Sequence, residues 1–139
     1  MGELDQLVFA VSDVEFPAMR REVLTSLAAL SDPEYQQKVW VQREYPRLNY
    51  FDDLTQNVHV LYDDCQVLPE PDGRLWSVLL PGDEVARLRA LDKALGPLID
   101  ELGDAPDAVY LADPRWGAVM SAAALALASM VIAGGYWDA

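Results

Sequence analysis

Leu88, Leu91, Leu95, Leu98 and Leu102 follow one another at steps of +3, +4, +3 and +4. A strand would scatter such residues over both faces, whereas a helix gathers them into one stripe. The stripe is only about two heptads long, too short for an autonomous coiled coil, so it reads as the core face of a helix. Asp83 and Glu84 place acids at the positive end of this helix. Gly103 stops it. Gly96-Pro97 falls inside it and is expected to kink or split it.

Four more helices are expected around that seam. Pro17 suits a first helical turn, and Met19, Val23, Leu27 and Leu30 repeat behind it at helical spacing, with Arg20, Arg21 and Glu22 pointing away. Ser31-Asp32-Pro33-Glu34 restarts the chain with an Asp cap and a Pro at the first position. That second helix carries Tyr35, Val39 and Trp40 and stops near Glu44, before Pro46. A central helix is expected from Phe51, with an apolar stripe of Phe51, Leu54, Val58, Leu61 and Cys65. Asp113-Pro114 opens the last helix, which is expected to close at Gly134-Gly135. Inside it, Ala122, Leu125, Ala126 and Ser129 are expected to face other helices.

Three short segments read as extended or irregular. Leu7 to Val11 fits a short strand or a lead-in turn. Leu75 to Leu80, LWSVLL, fits a buried strand between Pro71-Asp72-Gly73 and Pro81-Gly82. Val109 to Leu111 fits a second one. The expected fold is therefore mainly α, a single domain over residues 1–139 with five helices and one or two short strands. The alternative is α/β, since strand, helix, strand, helix from Leu75 onward is also the order of a βαβ unit.

Charge narrows the function classes. The net charge of −13 repels phosphate backbones and anionic membranes and attracts basic proteins. Nucleic-acid binding is not expected. Gly117 to Trp137 is 21 residues without a charge, long enough to span a bilayer. It is mostly Ala, Gly and Ser, and Val119, Leu125, Leu127, Val131 and Ile132 supply only roughly −1.5 to −3 kcal/mol of insertion energy together. A buried helix is expected instead of a span. The start, MGELDQLVFAVSD, has no basic run ahead of its apolar stretch, so no secretory signal is expected. The single Cys excludes an internal disulfide and a multi-cysteine zinc site and suits a reducing cytoplasm.

The candidate chemistry lies between Trp40 and Cys65. If the central helix starts at Phe51, Asp52, His59 and Asp63 project within roughly 40° of one another. Two carboxylates beside the only imidazole could orient a base or hold a divalent ion. With three ligands and no HExxH, no metal and no cofactor is assigned. His59, Asp63 and Asp52 are the catalytic candidates, and an exposed polar helix face is the competing reading. Trp40, Tyr45, Tyr50, Phe51 and Tyr62 form an aromatic group that could line a pocket. The candidate binding residues are Trp40, Tyr45, Tyr50, Asp52, Asp53, His59, Asp63 and Asp64. Cys65 lies on the apolar stripe and reads as a buried structural thiol.

The segments DPEYQQKVWVQREYP, FDDLTQNVHVLYDDCQVLPEP and YLADPRWGAVMSAA resemble an uncharacterised family of small acidic proteins of high-GC actinobacteria. The resemblance runs from about Val14 to Gly134. It implies a bacterial, cytosolic origin and brings no catalytic residues. Two functions are compatible with all of this. One is a protein-binding module, inhibitor or immunity-like, acting on a basic protein partner. The alternative is a small helical enzyme or ligand binder that uses Asp52, His59 and Asp63 beside a Tyr/Trp-lined pocket. The oligomeric state stays open.

Overall fold

A computed structural model describes residues 14–134. Six helices carry it: α1 Pro17–Leu30, α2 Pro33–Tyr35, α3 Leu54–His59, α4 Glu84–Leu102, α5 Asp107–Ala112 and α6 Trp116–Gly134. Two of the three short helices, α2 and α3, run on as π-helix, over Gln36–Val41 and Val60–Asp64. The expected segment Leu7 to Val11 and the end of the last helix at Gly135 lie outside the described residues.

The leucine seam behaves as its spacing requires. Leu88, Leu91, Leu95 and Leu98 are fully buried, and α4 packs along α6. The facing stripe of α6 is Trp116, Val119, Ala123, Ala126 and Met130, all buried, at the same +3, +4 spacing. Of the residues expected to face other helices, Ala126 lies on this stripe and the others do not. Leu125 is 49% exposed, and Ala122 and Ser129 sit at the edge of the seam. α4 also runs unbroken through Gly96-Pro97. Proline inside a helix costs about 3 kcal/mol. Four fully buried leucines contribute about 1.5–3 kcal/mol each, so burial on both sides of Pro97 outweighs that cost.

The start at Asp32 follows the sequence signal, since Asp32 accepts a hydrogen bond from the Tyr35 amide at 3.0 Å. The last helix begins at Trp116 rather than Pro114, after a turn in which Asp113 accepts from the Arg115 amide at 2.8 Å. The central helix begins at Leu54 rather than Phe51, because Asp53 is its cap and accepts from the Gln56 amide at 2.8 Å. Phe51 is consequently outside the helix and 53% exposed, while Leu54, Leu61 and Cys65 remain buried.

Neither expected strand forms, and no strand occurs among the described residues. Leu75 makes a single bridge to Leu79 across a tight turn, in which the Val78 and Leu79 amides both donate to Arg74 O. The run is buried at Val78, Leu79 and Leu80, as an apolar segment demands, but its only backbone neighbour among the described residues is the short stretch before α1, whose Glu15 and Phe16 amides donate to Trp76 O and Ser77 O. Val109 to Leu111 is helical, inside α5. Without a sheet, the βαβ alternative has no basis.

One charged pair lies inside the core. Arg20 and Glu84 are both 0% exposed. Arg20 donates to the two Glu84 carboxylate oxygens at 2.8 and 2.6 Å, to Val78 O at 3.0 Å and to Met130 O at 3.1 Å. Glu84 also accepts from the Leu80 amide at 2.9 Å. The pair therefore ties α1, the 78–80 turn, α4 and α6 together. The expectation that Arg20 points away is corrected here. Its neighbour Arg21 does stay exposed.

Candidate binding clefts

The chain between α2 and α3 wraps back so that Asp52 meets three donors. Tyr35 Oη donates to Asp52 Oδ2 at 2.8 Å, Trp40 Nε1 to the same oxygen at 2.9 Å, and Asn57 Nδ2 to Oδ1 at 3.0 Å. Trp40 is held from its other side by an edge-on contact with Trp116, ring centroids 6.4 Å apart. Tyr35 and Tyr50 share a hydrogen bond of 2.6 Å between their hydroxyls. Burial, then the bonds to Tyr50 and Asp52, push the Tyr35 phenol above its ordinary pKa. Over this network opens a cleft of about 560 Å³, walled by Arg21, Glu22 and Ser26 of α1 on one side and by Tyr50, Phe51 and Asp52 on the other. Tyr45 packs behind, 6.3 Å from Tyr50 and 5.9 Å from Phe51 between ring centroids. Arg47 caps the Tyr50 ring at 4.8 Å.

A second feature lies between α3 and α4. Asp63, Asp92 and Asp100 line a groove of about 670 Å³. Val58, Ile99, Pro97 and the Tyr62 ring make its apolar floor, and Lys93 is the cation on its rim. Val58 and Ile99 also line a separate hollow of about 270 Å³ that Asp104 and Asp107 border. Tyr62 Oη donates to Asp92 at 2.7 Å, and burial, then this bond, raise its pKa. Burial likewise raises the Asp107 carboxyl above the usual range, against the hydrogen bond it accepts from the Leu54 amide at 3.0 Å.

The expected trio is divided between these places. His59 Nδ1 pairs with Asp63 on the exposed side of α3. Asp52 precedes the helix, and its carboxylate is taken up by Tyr35, Trp40 and Asn57. His59 does not line the Asp52 cleft. Asp53 serves as the cap of α3, and Asp64 is exposed beyond the groove. No group of three or more His, Cys, Asp or Glu is placed to hold a metal ion among the described residues. Cys65 is fully buried, and burial pushes its thiol up to about 11.

Sequence reasoning missed Tyr35, Asn57 and Ser26 in the cleft and Asp92 and Asp100 in the groove. The last two were recoverable, since Asp92, Gly96 and Asp100 stand at i, i+4 and i+8 on one side of the leucine seam. Tyr35 carried no such signal, because the loop that brings Tyr50 and Asp52 back to it has no periodicity.

No helix among the described residues is long and apolar enough to cross a membrane. No curated protein and no solved structure matches the chain. A family model does, over residues 14–136, from just before α1 to just past α6. The chain belongs to the family described as a domain of unknown function, DUF7945.

Proposed function

We propose that this protein is a small binding module that docks a basic segment of a protein partner in the groove between α3 and α4. The observation that carries this reading is the groove itself. Asp63, Asp92 and Asp100 line its apolar floor with Lys93 as the facing cation, and Asp104 and Asp107 border the hollow that shares Val58 and Ile99 with it. None of the five carboxylates is paired with a lysine or arginine among the described residues. Uncompensated charge of one sign steers an oppositely charged partner and fixes its orientation. The floor of Val58, Ile99 and Tyr62 supplies apolar area to bury. The net charge of −13 extends the attraction beyond the groove.

Reversing the exposed groove charges tests the reading. Asp63→Lys, Asp100→Lys and Asp104→Lys should together weaken binding of a lysine-rich amphipathic peptide by about tenfold or more at low salt. Glu34→Lys, on α2 outside the groove, should leave it nearly unchanged. Equal losses in both proteins would overturn the assignment to this groove.

A second reading, a small-ligand binder, is supported by the aromatic-walled cleft over Asp52. A catalytic role for Asp52, His59 and Asp63 acting together has no such support, because His59 and Asp63 engage each other away from that cleft.

A further inference from the structure

The direction of the hydrogen bonds beneath the Asp52 cleft follows from chemistry. An ionised carboxylate only accepts. Tyr35 therefore spends its one proton on Asp52. The 2.6 Å bond between Tyr35 and Tyr50 must then be donated by Tyr50. Tyr50 has no proton left, and its oxygen offers only lone pairs to the cleft it lines.

Asn57 and Asp52 on the floor have the same polarity, while the donors Arg21 and Gln56 belong to the exposed part of the lining. Asn57 is 4% exposed and spends its amide hydrogens on Asp52 and on Asp53 O. That orientation leaves its Oδ1 as an acceptor without a partner among the described residues. Asp52 Oδ2 receives Tyr35 and Trp40, while Oδ1 receives only Asn57. With about four lone-pair sites on a carboxylate, Oδ1 can take one more donor. Ser26 lines the same cleft, and its hydroxyl makes no hydrogen bond among the described residues. It can donate or accept as an occupant requires. Glu22 adds a carboxylate at the rim.

From this arrangement we infer that the cleft is a binding site for a primary ammonium group carried on a small organic body. An ammonium brings three donors and one positive charge. The floor supplies the acceptors Asp52 Oδ1, Asn57 Oδ1 and Tyr50 Oη. The half-exposed Phe51 ring, beside a Tyr50 ring that already carries Arg47 on one face, accommodates an alkyl or aromatic body and attracts the cation. A volume of about 560 Å³ is in the range of small-molecule sites. The inference rests on the small-ligand reading and is independent of the α3–α4 groove.

Phenethylamine and 2-phenylethanol are the matched probes, alike in body and differing in the ammonium. The readout is the Trp40 indole N–H resonance, since that N–H donates to Asp52. Phenethylamine should shift it saturably, while the Trp116 indole N–H, bonded to Gln36, stays nearly in place. 2-Phenylethanol should bind at least about tenfold more weakly, the loss of a charge-assisted hydrogen bond. Asp52→Asn should abolish the shift. Tyr50→Phe, which keeps the aromatic wall, should weaken binding several-fold and decides the matter if Asp52→Asn fails to fold. Equal binding of both probes would overturn the ammonium inference and spare the cleft as a ligand site. Binding of neither would overturn both, and a phenethylamine response unchanged in Tyr50→Phe would overturn the acceptor floor.

Discussion

The guanidinium of Arg20 grips both carboxylate oxygens of Glu84, at 2.8 and 2.6 Å, with neither side chain exposed. Around them the turn at Val78 to Leu80 and the end of α6 contribute two carbonyls and an amide. Arg20 Nε alone has no partner. Desolvating two charges is expensive, and the return comes from this near-complete shell of hydrogen bonds.

The pair should therefore be costly to break and cheap to replace. Arg20→Met alone, or Glu84→Gln alone, should lower the unfolding free energy by about 3–5 kcal/mol, since each leaves a buried charge unmatched. The double variant Arg20→Met/Glu84→Leu should lose clearly less than the sum of the two. Urea denaturation of the three proteins measures it, and additive losses would show that the ions do not act as a pair.

Part of the fold was legible because regular spacing and end signals are local. The leucine seam, the cap at Asp32 and the buried Cys65 could each be read from a few neighbouring residues. Arg20 was misread because its charge was allowed to outweigh its position. It stands four residues before Leu24 and seven before Leu27, on the buried stripe. Its partner lies 64 positions away, beyond the reach of any periodicity. The strands failed for the same reason. LWSVLL is apolar because it is buried, and nothing local tells a buried turn from a buried strand. The candidate site moved because Asp53, not Ser or Thr, caps α3, which leaves Asp52 outside the helix. Of the expected aromatic group, Tyr45, Tyr50 and Phe51 pack together while Tyr62 lies in the α3–α4 groove, and the organising contact, Tyr35 to Asp52, needed the fold.

Alkali should destabilise the protein before its surface charges account for it. The Cys65 thiol is raised by burial from 9.0 to about 11, and the Tyr35, Tyr62 and Tyr110 phenols are raised in the same direction, also chiefly by burial. The folded state holds these protons where the unfolded state has released them. Their contribution is full below about pH 9. It declines as pH rises toward 11, because unfolding then releases protons. Urea midpoints between pH 8 and 11 should fall accordingly, and Cys65→Ala should flatten the early part of the fall. A midpoint unchanged up to pH 11 would contradict the burial of these groups.

The register of α6 against α4 sets two opposite expectations. Leu95→Ala should cost about 2–5 kcal/mol, as for a leucine removed from a packed core. Leu125→Ala, at a position 49% exposed, should change stability by less than about 0.5 kcal/mol. A reversal of the two values, read by thermal or urea unfolding, would mean that α6 presents its other face to the seam.

Docking of a basic partner segment between α3 and α4 is visible to amide chemical-shift mapping. A lysine-rich amphipathic peptide should be titrated into isotopically labelled protein at low salt. Saturable shifts should concentrate at Val58, Tyr62, Ile99, Asp100 and Asp104 and shrink as ionic strength shortens the screening length. Shifts spread evenly over Glu34, Asp72 and Asp83 as well would show that the peptide reads only the net charge of −13, and would rule out docking in this groove.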